Sequence, residues 1–208
     1  MWGFFVALEG IEGTGKSTLL NCLAERLEGL GLRVVKTREP GGTPAAELIR
    51  EVLMKPGLQL EPWAELFLFL AARRENTYKV ILPALREGKV VISDRYYLSS
   101  LAYQGFGRGL PLKLVSRLNK FATGGLKPHL TLLIDLEPSE ALARARGRDR
   151  FHEEELEFHR RVREGYLILA RKAGKRVRVL DGSLPKEELV ERAFKLVEER
   201  LKEKGRLK

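Results

Sequence analysis

The chain has 208 residues, 44% of them hydrophobic and 32% charged, with a formal net charge of +10 and one cysteine, Cys22. That length suits one well-buried domain rather than two large ones. A lone cysteine excludes an internal disulfide framework or a cysteine-based zinc site and fits a reducing cytosol, and no run approaches the ~20 apolar residues a membrane span needs.

The first apolar run, FFVALEG (4–10), is continuous rather than alternating, as in a strand buried on both faces. It leads into EGIEGTGKST (9–18), where Gly10, Gly15, Lys16 and Ser17 complete G-x-x-x-x-G-K-[ST]. Glycines there let backbone N–H groups turn inward around phosphate oxygens, and the helix that follows adds its N-terminal dipole. Gly10, Ile11, Glu12, Gly13, Thr14, Gly15, Lys16, Ser17 and Thr18 therefore form a candidate triphosphate cradle, with Lys16 reaching the β/γ-phosphates and the Ser17 hydroxyl a ligand for Mg²⁺. Leu19, Leu20, Leu23 and Leu27 share one face of a helix over 16–27.

A second strand, LRVVKTR (32–38), ends in TREPGGTP (37–44), whose Arg38 and paired glycines suit a turn approaching a second anion or an ordinary loop. Helical spacing covers 62–86, and there Phe69 and Arg73 lie four apart on one face: a ring to stack on a base and a guanidinium to read its edge. The third strand, KVVISD (89–94), places Asp94 at its carboxyl end, where α/β sheets hold ligands and a carboxylate can join a Mg²⁺ shell; Arg95 follows at once and needs an anionic partner. Asp135, ending the fourth strand (130–135), is a rival carboxylate without an adjoining arginine. Further helices are expected over 111–121, 137–146, 153–172 and 185–202, with a fifth strand over 176–181. Between them, ALARARGRDRF (141–151) is dense in arginine, and such side chains can neutralise charge on a moving phosphoryl group. His129, His152 and His159 lack metal-like spacing and read as surface or capping residues. Strands alternating with helices predict an α/β fold: a five-stranded parallel sheet between helical layers. The charge excess sits in mixed segments such as RKAGKRVRV, so no nucleic-acid partner is expected.

These motifs, in this order from about 4 to 181, resemble thymidylate kinase, a P-loop nucleoside monophosphate kinase that phosphorylates dTMP with ATP. The resemblance rests on EGIEGTGKST, TREPGGT, FLAAR, the SDRY…SSLAYQG block and the arginine-rich stretch. It implies that Glu12 approaches the dTMP sugar, Phe69 stacks on thymine, Arg73 reaches the carbonyl edge and Arg95 grips the phosphate. Ser100 and Gln104 would contact the base, Tyr103 would lie under C2′ of the sugar, and Arg38 and Arg50 are weaker candidates for the acceptor phosphate. Some members carry an arginine inside the P-loop; here Gly13 fills that slot. The resemblance therefore turns to Arg146, Arg148 and Arg150, in a lid over about 143–155, as transition-state arginines. It also implies strand order 2-3-1-4-5, a homodimer and a cytoplasmic setting. Two rivals stay open at this stage: a deoxynucleoside kinase with Glu39 as its base, and a regulatory P-loop protein that binds nucleic acid.

Overall fold

The buried side chains of strand β1 (Phe4–Glu9) divide by parity, which sets the layers of the computed structural model. Phe4, Val6 and Leu8 pack against helices α1 (Lys16–Gly29) and α9 (Lys186–Glu203), while Phe5 and Ala7 meet Ile81, Leu85 and Tyr96 on the opposite side. Strands β2 (Val34–Arg38), β3 (Val90–Asp94), β4 (Leu130–Asp135) and β5 (Val177–Asp181) complete a parallel sheet in the order β2-β3-β1-β4-β5, as expected. Leu8 registers with Asp94 and Asp94 with Arg38, so the ends of β1, β2 and β3 share one rim. The description covers residues 2–145 and 150–207.

Two helical segments escape the sequence reading. Helix α2 (Pro44–Met54) opens with Pro44 in its first turn and Thr43 as its N-cap, the Thr43 hydroxyl accepting from Ala46 N at 3.2 Å. After β3 comes α5 (Tyr97–Ser100), continued by a π-helical stretch, Leu101–Gly107. The helix expected over 62–86 is in fact α3 (Pro62–Asn76), a π-helical turn (Thr77–Ile81) and α4 (Leu82–Arg86). The wider turn precedes Pro83, which has no N–H to continue an α-helical ladder. Helices α6 (Leu112–Thr123), α7 (Pro138–Arg144) and α8 (Leu156–Ala173) follow, and α8 packs on the π-helical stretch to cover the second face of the sheet.

Candidate functional site

Between β1 and α1 the loop turns on glycines. Gly15 caps α1 at φ 89°, and Gly13 has φ 75°, a region costly to a residue with a Cβ. A Cβ on Gly13 would also stand 1.7 Å from the Ala141 carbonyl oxygen at the end of α7, so no side chain fits there. The Lys16 ammonium, itself buried, donates to the Ile11 carbonyl at 2.6 Å and to Thr14 Oγ1 at 3.4 Å. Burial, joined by the charge of Arg95, lowers its pKa to about 8, against the opposing pull of Asp94, Glu12 and Glu9. Ser17 Oγ donates to Asp94 Oδ2 at 2.8 Å, so the loop hydroxyl and the strand-end carboxylate named from sequence meet.

A lysine near neutrality gives a pH prediction. In the unliganded protein Lys16 loses its charge as pH rises through about 8, and bound triphosphate favours the charged form. We expect kcat/KM for the triphosphate donor to fall above that pH while kcat stays flatter, because the first reports the free protein and the second the complex. Matched profiles from pH 6.5 to 9.5 test this; a flat kcat/KM would refute it.

Arg95 sits at φ 72°, the one non-glycine residue with positive φ among those described. Backbone strain of this kind collects at functional sites. The turn is pinned by Arg95 N donating to Leu8 O at 2.8 Å and by Tyr96 N donating to Glu9 Oε1 at 3.0 Å. Glu9, fully buried, also accepts from Ser99 and Tyr166. Burial raises its pKa, against those bonds and Arg95. The strain aims the Arg95 guanidinium back at the loop, donating to Gly10 O at 2.8 Å and Glu12 Oε1 at 2.6 Å, while Tyr103 Oη donates to Glu12 Oε2 at 2.9 Å. Burial alone would raise the Glu12 pKa; Arg95, Lys16 and Tyr103 outweigh it and hold the carboxyl at about 2.

Two concavities meet at these residues. An open cleft is lined by Gly13, Lys16, Ser17, Thr18, Asp94 and Arg144; a narrower pocket is lined by Phe69, Ser100, Tyr103, Gln104, Met54 and Phe151. Glu12, Glu39, Arg50 and Arg95 belong to both. Arg50 donates to Pro40 O at 3.0 Å, and Arg38, on the cleft side, pairs with Glu47 at 2.9 Å.

Arg73 lies behind the pocket wall rather than in it. It is 1% exposed, with Nε on Glu39 at 2.6 Å, Nη1 on Ser100 Oγ at 2.7 Å and Asn119 Oδ1 at 2.6 Å, and Nη2 on Tyr96 O at 3.0 Å. That clamp occupies Glu39, the base of the deoxynucleoside kinase rival, whose second oxygen takes Asn76 at 3.3 Å. Arg150, expected over the phosphates, points elsewhere: it is buried, donating to Leu53 O at 2.9 Å and Glu65 Oε2 at 2.7 Å. A buried carboxylate within reach holds its charge. Arg146 and Arg148 lie outside the described residues. Arg144 does line the cleft, anchored to Gly182 O at 2.9 Å. Asp135 is held by Arg163 at 2.7 Å and does not line the cleft that Ser17 lines. His159 is fully buried, its Nε2 on Phe151 O at 2.9 Å, which corrects the surface reading.

The sequence reading missed Glu9, Glu65, Asn76 and Asn119, all buried. A carboxylate in the first turn of a helix, as Glu65 is, reads as a solvated dipole partner until its arginines are seen.

The thymidylate kinase family model matches residues 8–193. The chain is 48% identical over 201 residues to a thymidylate kinase of Syntrophotalea carbinolica, covering 92% of this chain and 93% of that protein. It is 50% identical over 188 residues to a thymidylate kinase of Pelotomaculum thermopropionicum, covering 88% and 87%. The crystal structure of thymidylate kinase from Ehrlichia chaffeensis superposes with a TM-score of 0.78 at 34% identity, over 95% of this chain and 99% of that one.

Proposed function

The chain belongs to the thymidylate kinase family, and on that footing we propose how its residues divide the transfer of the ATP γ-phosphoryl group to dTMP. One observation carries the reading: cleft and pocket share a wall of Glu12, Glu39, Arg50 and Arg95, so two anionic ends laid in them meet beside Lys16. ATP takes the loop and dTMP takes the pocket, with its base beside Phe69, Ser100 and Gln104 and its phosphate at Arg95. Arg38 and Arg50 add positive charge near that phosphate, and Tyr103 closes the sugar side, where a ribose 2′-hydroxyl would crowd its ring. Arg73 supports this base subsite from behind the wall, donating to Ser100 Oγ at 2.7 Å.

The nucleophile is a phosphate oxygen, mostly dianionic near neutral pH, so no strong base is required. The work is positioning and charge neutralisation. Lys16 cancels charge between the β- and γ-phosphates, and Arg95, still paired with Glu12, offers its positive charge to the acceptor. Arg146 and Arg148, in a lid over about 143–155, carry the transition-state role that Arg150, engaged with Glu65, does not take in this arrangement. Ser17 and Asp94 offer a hydroxyl and a carboxylate oxygen side by side, the hard donors Mg²⁺ takes alongside phosphate oxygens. Bound there, Mg²⁺ would supply neutralising charge to the triphosphate.

Turnover of a panel of acceptors (dTMP, dUMP, dCMP and thymidine) with ATP and Mg²⁺ tests the reading. dTMP should be the best acceptor, and preference for thymidine would overturn it in favour of a deoxynucleoside kinase.

The assembly we propose is a homodimer in the cytoplasm, built on the outer face of α2, α3 and α6. Leu48 and Val52 on α2, Phe67 on α3 and Phe121 on α6 are exposed at 64, 43, 55 and 76%. Exposed apolar side chains on three helices that pack on one another suit an interface. Among the described residues, no helix is long and apolar enough to cross a membrane. Phe67→Glu should convert a dimer to a monomer in sedimentation velocity while leaving the circular dichroism spectrum intact; an unchanged sedimentation coefficient would exclude this face.

A further inference from the structure

Glu65 is fully buried beneath the pocket, yet it lines neither cavity. Its Oε1 accepts from Gln104 Nε2 at 2.7 Å, and its Oε2 accepts from Arg150 at 2.7 Å and Arg108 at 3.1 Å. An ionised carboxylate can only accept, so the amide nitrogen of Gln104 must face Glu65. The amide oxygen is thereby left as the other end of the group, and among the described residues no donor is bonded to it. The two arginines matter here, because their guanidinium groups donate to the same carboxylate and leave it the accepting partner of Gln104. Gln104 itself is 1% exposed on the pocket wall, too confined for its amide to turn freely.

We propose that Glu65 is a positioning residue that fixes the Gln104 amide with its oxygen toward the base, so that the pocket takes an imide and rejects an amidine. Thymine and uracil carry an N3–H, which the oxygen accepts. Cytosine presents a bare N3 there, and two acceptors would face each other. The inference rests on dTMP occupying the pocket, as proposed above, and adds a source of base selectivity that touches no substrate. Arg150 binds the same carboxylate, so the segment that follows residues 146–149 is anchored to the residue that orders the base wall.

The test compares dTMP with dCMP as acceptors for wild type, Glu65→Gln, Gln104→Leu and the double variant. Glu65→Gln puts an amide where only an acceptor stood, so either face of Gln104 can pair with it. The preference for dTMP over dCMP should fall by about tenfold, the scale of one ill-matched buried hydrogen bond, with KM for ATP unchanged. In the Gln104→Leu background the same change should cost no further selectivity, which distinguishes action through Gln104 from general loosening. If Glu65→Gln fails to fold once Arg108 and Arg150 lose their partner, Gln104→Leu alone must still lower the preference. A wild type that prefers dTMP, with the ratio unmoved by Gln104→Leu or by a folded Glu65→Gln, overturns the proposal. A wild type that does not use dTMP overturns the functional reading instead.

Discussion

Lys16→Ala is expected to fold and to lose at least ~10²-fold in turnover, the scale attached to one missing electrostatic donor at a reacting centre. The ammonium holds the loop through bonds to Ile11 O and Thr14 Oγ1. Its depressed pKa says that burial makes the charge costly in the free protein. A costly, poorly compensated charge is what an anionic ligand would satisfy. Removing it should therefore cost little stability and much rate, with the loss in kcat as well as in kcat/KM for ATP. Turnover near that of wild type, from a variant with a wild-type melting temperature, would refute the cradle assignment.

Arg95→Ala is expected to raise KM for dTMP by roughly 10²-fold and to leave KM for ATP nearly unchanged. Two charge-assisted bonds to a phosphate, at about 1.5 kcal/mol each, already amount to that factor. A second effect acts in the same direction. Arg95 neutralises Glu12 at 2.6 Å, and without it an ionised carboxylate would confront the incoming phosphate. The double variant Arg95→Ala/Glu12→Gln should therefore recover part of the lost affinity. Equal rises in both KM values would move Arg95 to the donor side.

The central strands β1, β3 and β4 were legible because they are buried on both faces and so appear as unbroken apolar runs. The edge strands β2 and β5 are partly exposed and carry charged residues, yet all five observed bounds fall within a residue or two of the expected ones. The glycine-rich loop between β1 and α1 was legible because its contacts are local in sequence. Helix α2 was missed, although Thr43 and Pro44 announce its start. Ala45, Leu48, Ile49, Val52 and Leu53 do recur at helical spacing, so the signal was present and was passed over; of that stripe Leu53 is buried while Leu48 and Val52 stay exposed. The buried networks were illegible for a different reason. Glu65 meets Gln104 and Arg150 from 39 and 85 positions away, and Glu9 meets Tyr166 from 157. Periodicity says that a position is buried, not which distant donor it will find. Arg73 shows the same limit: its spacing from Phe69 was visible, but not the Glu39, Ser100 and Asn119 acceptors that draw it behind the wall.

The absence of a side chain at Gly13 lets the phosphate loop rest main chain against main chain on the last turn of α7. No flexible side-chain atoms stand between Gly13 and the Ala141 carbonyl to absorb a shift, so the loop and the root of the arginine-rich stretch are in direct contact. An arginine grafted at position 13 would pry that joint open before its charge could serve.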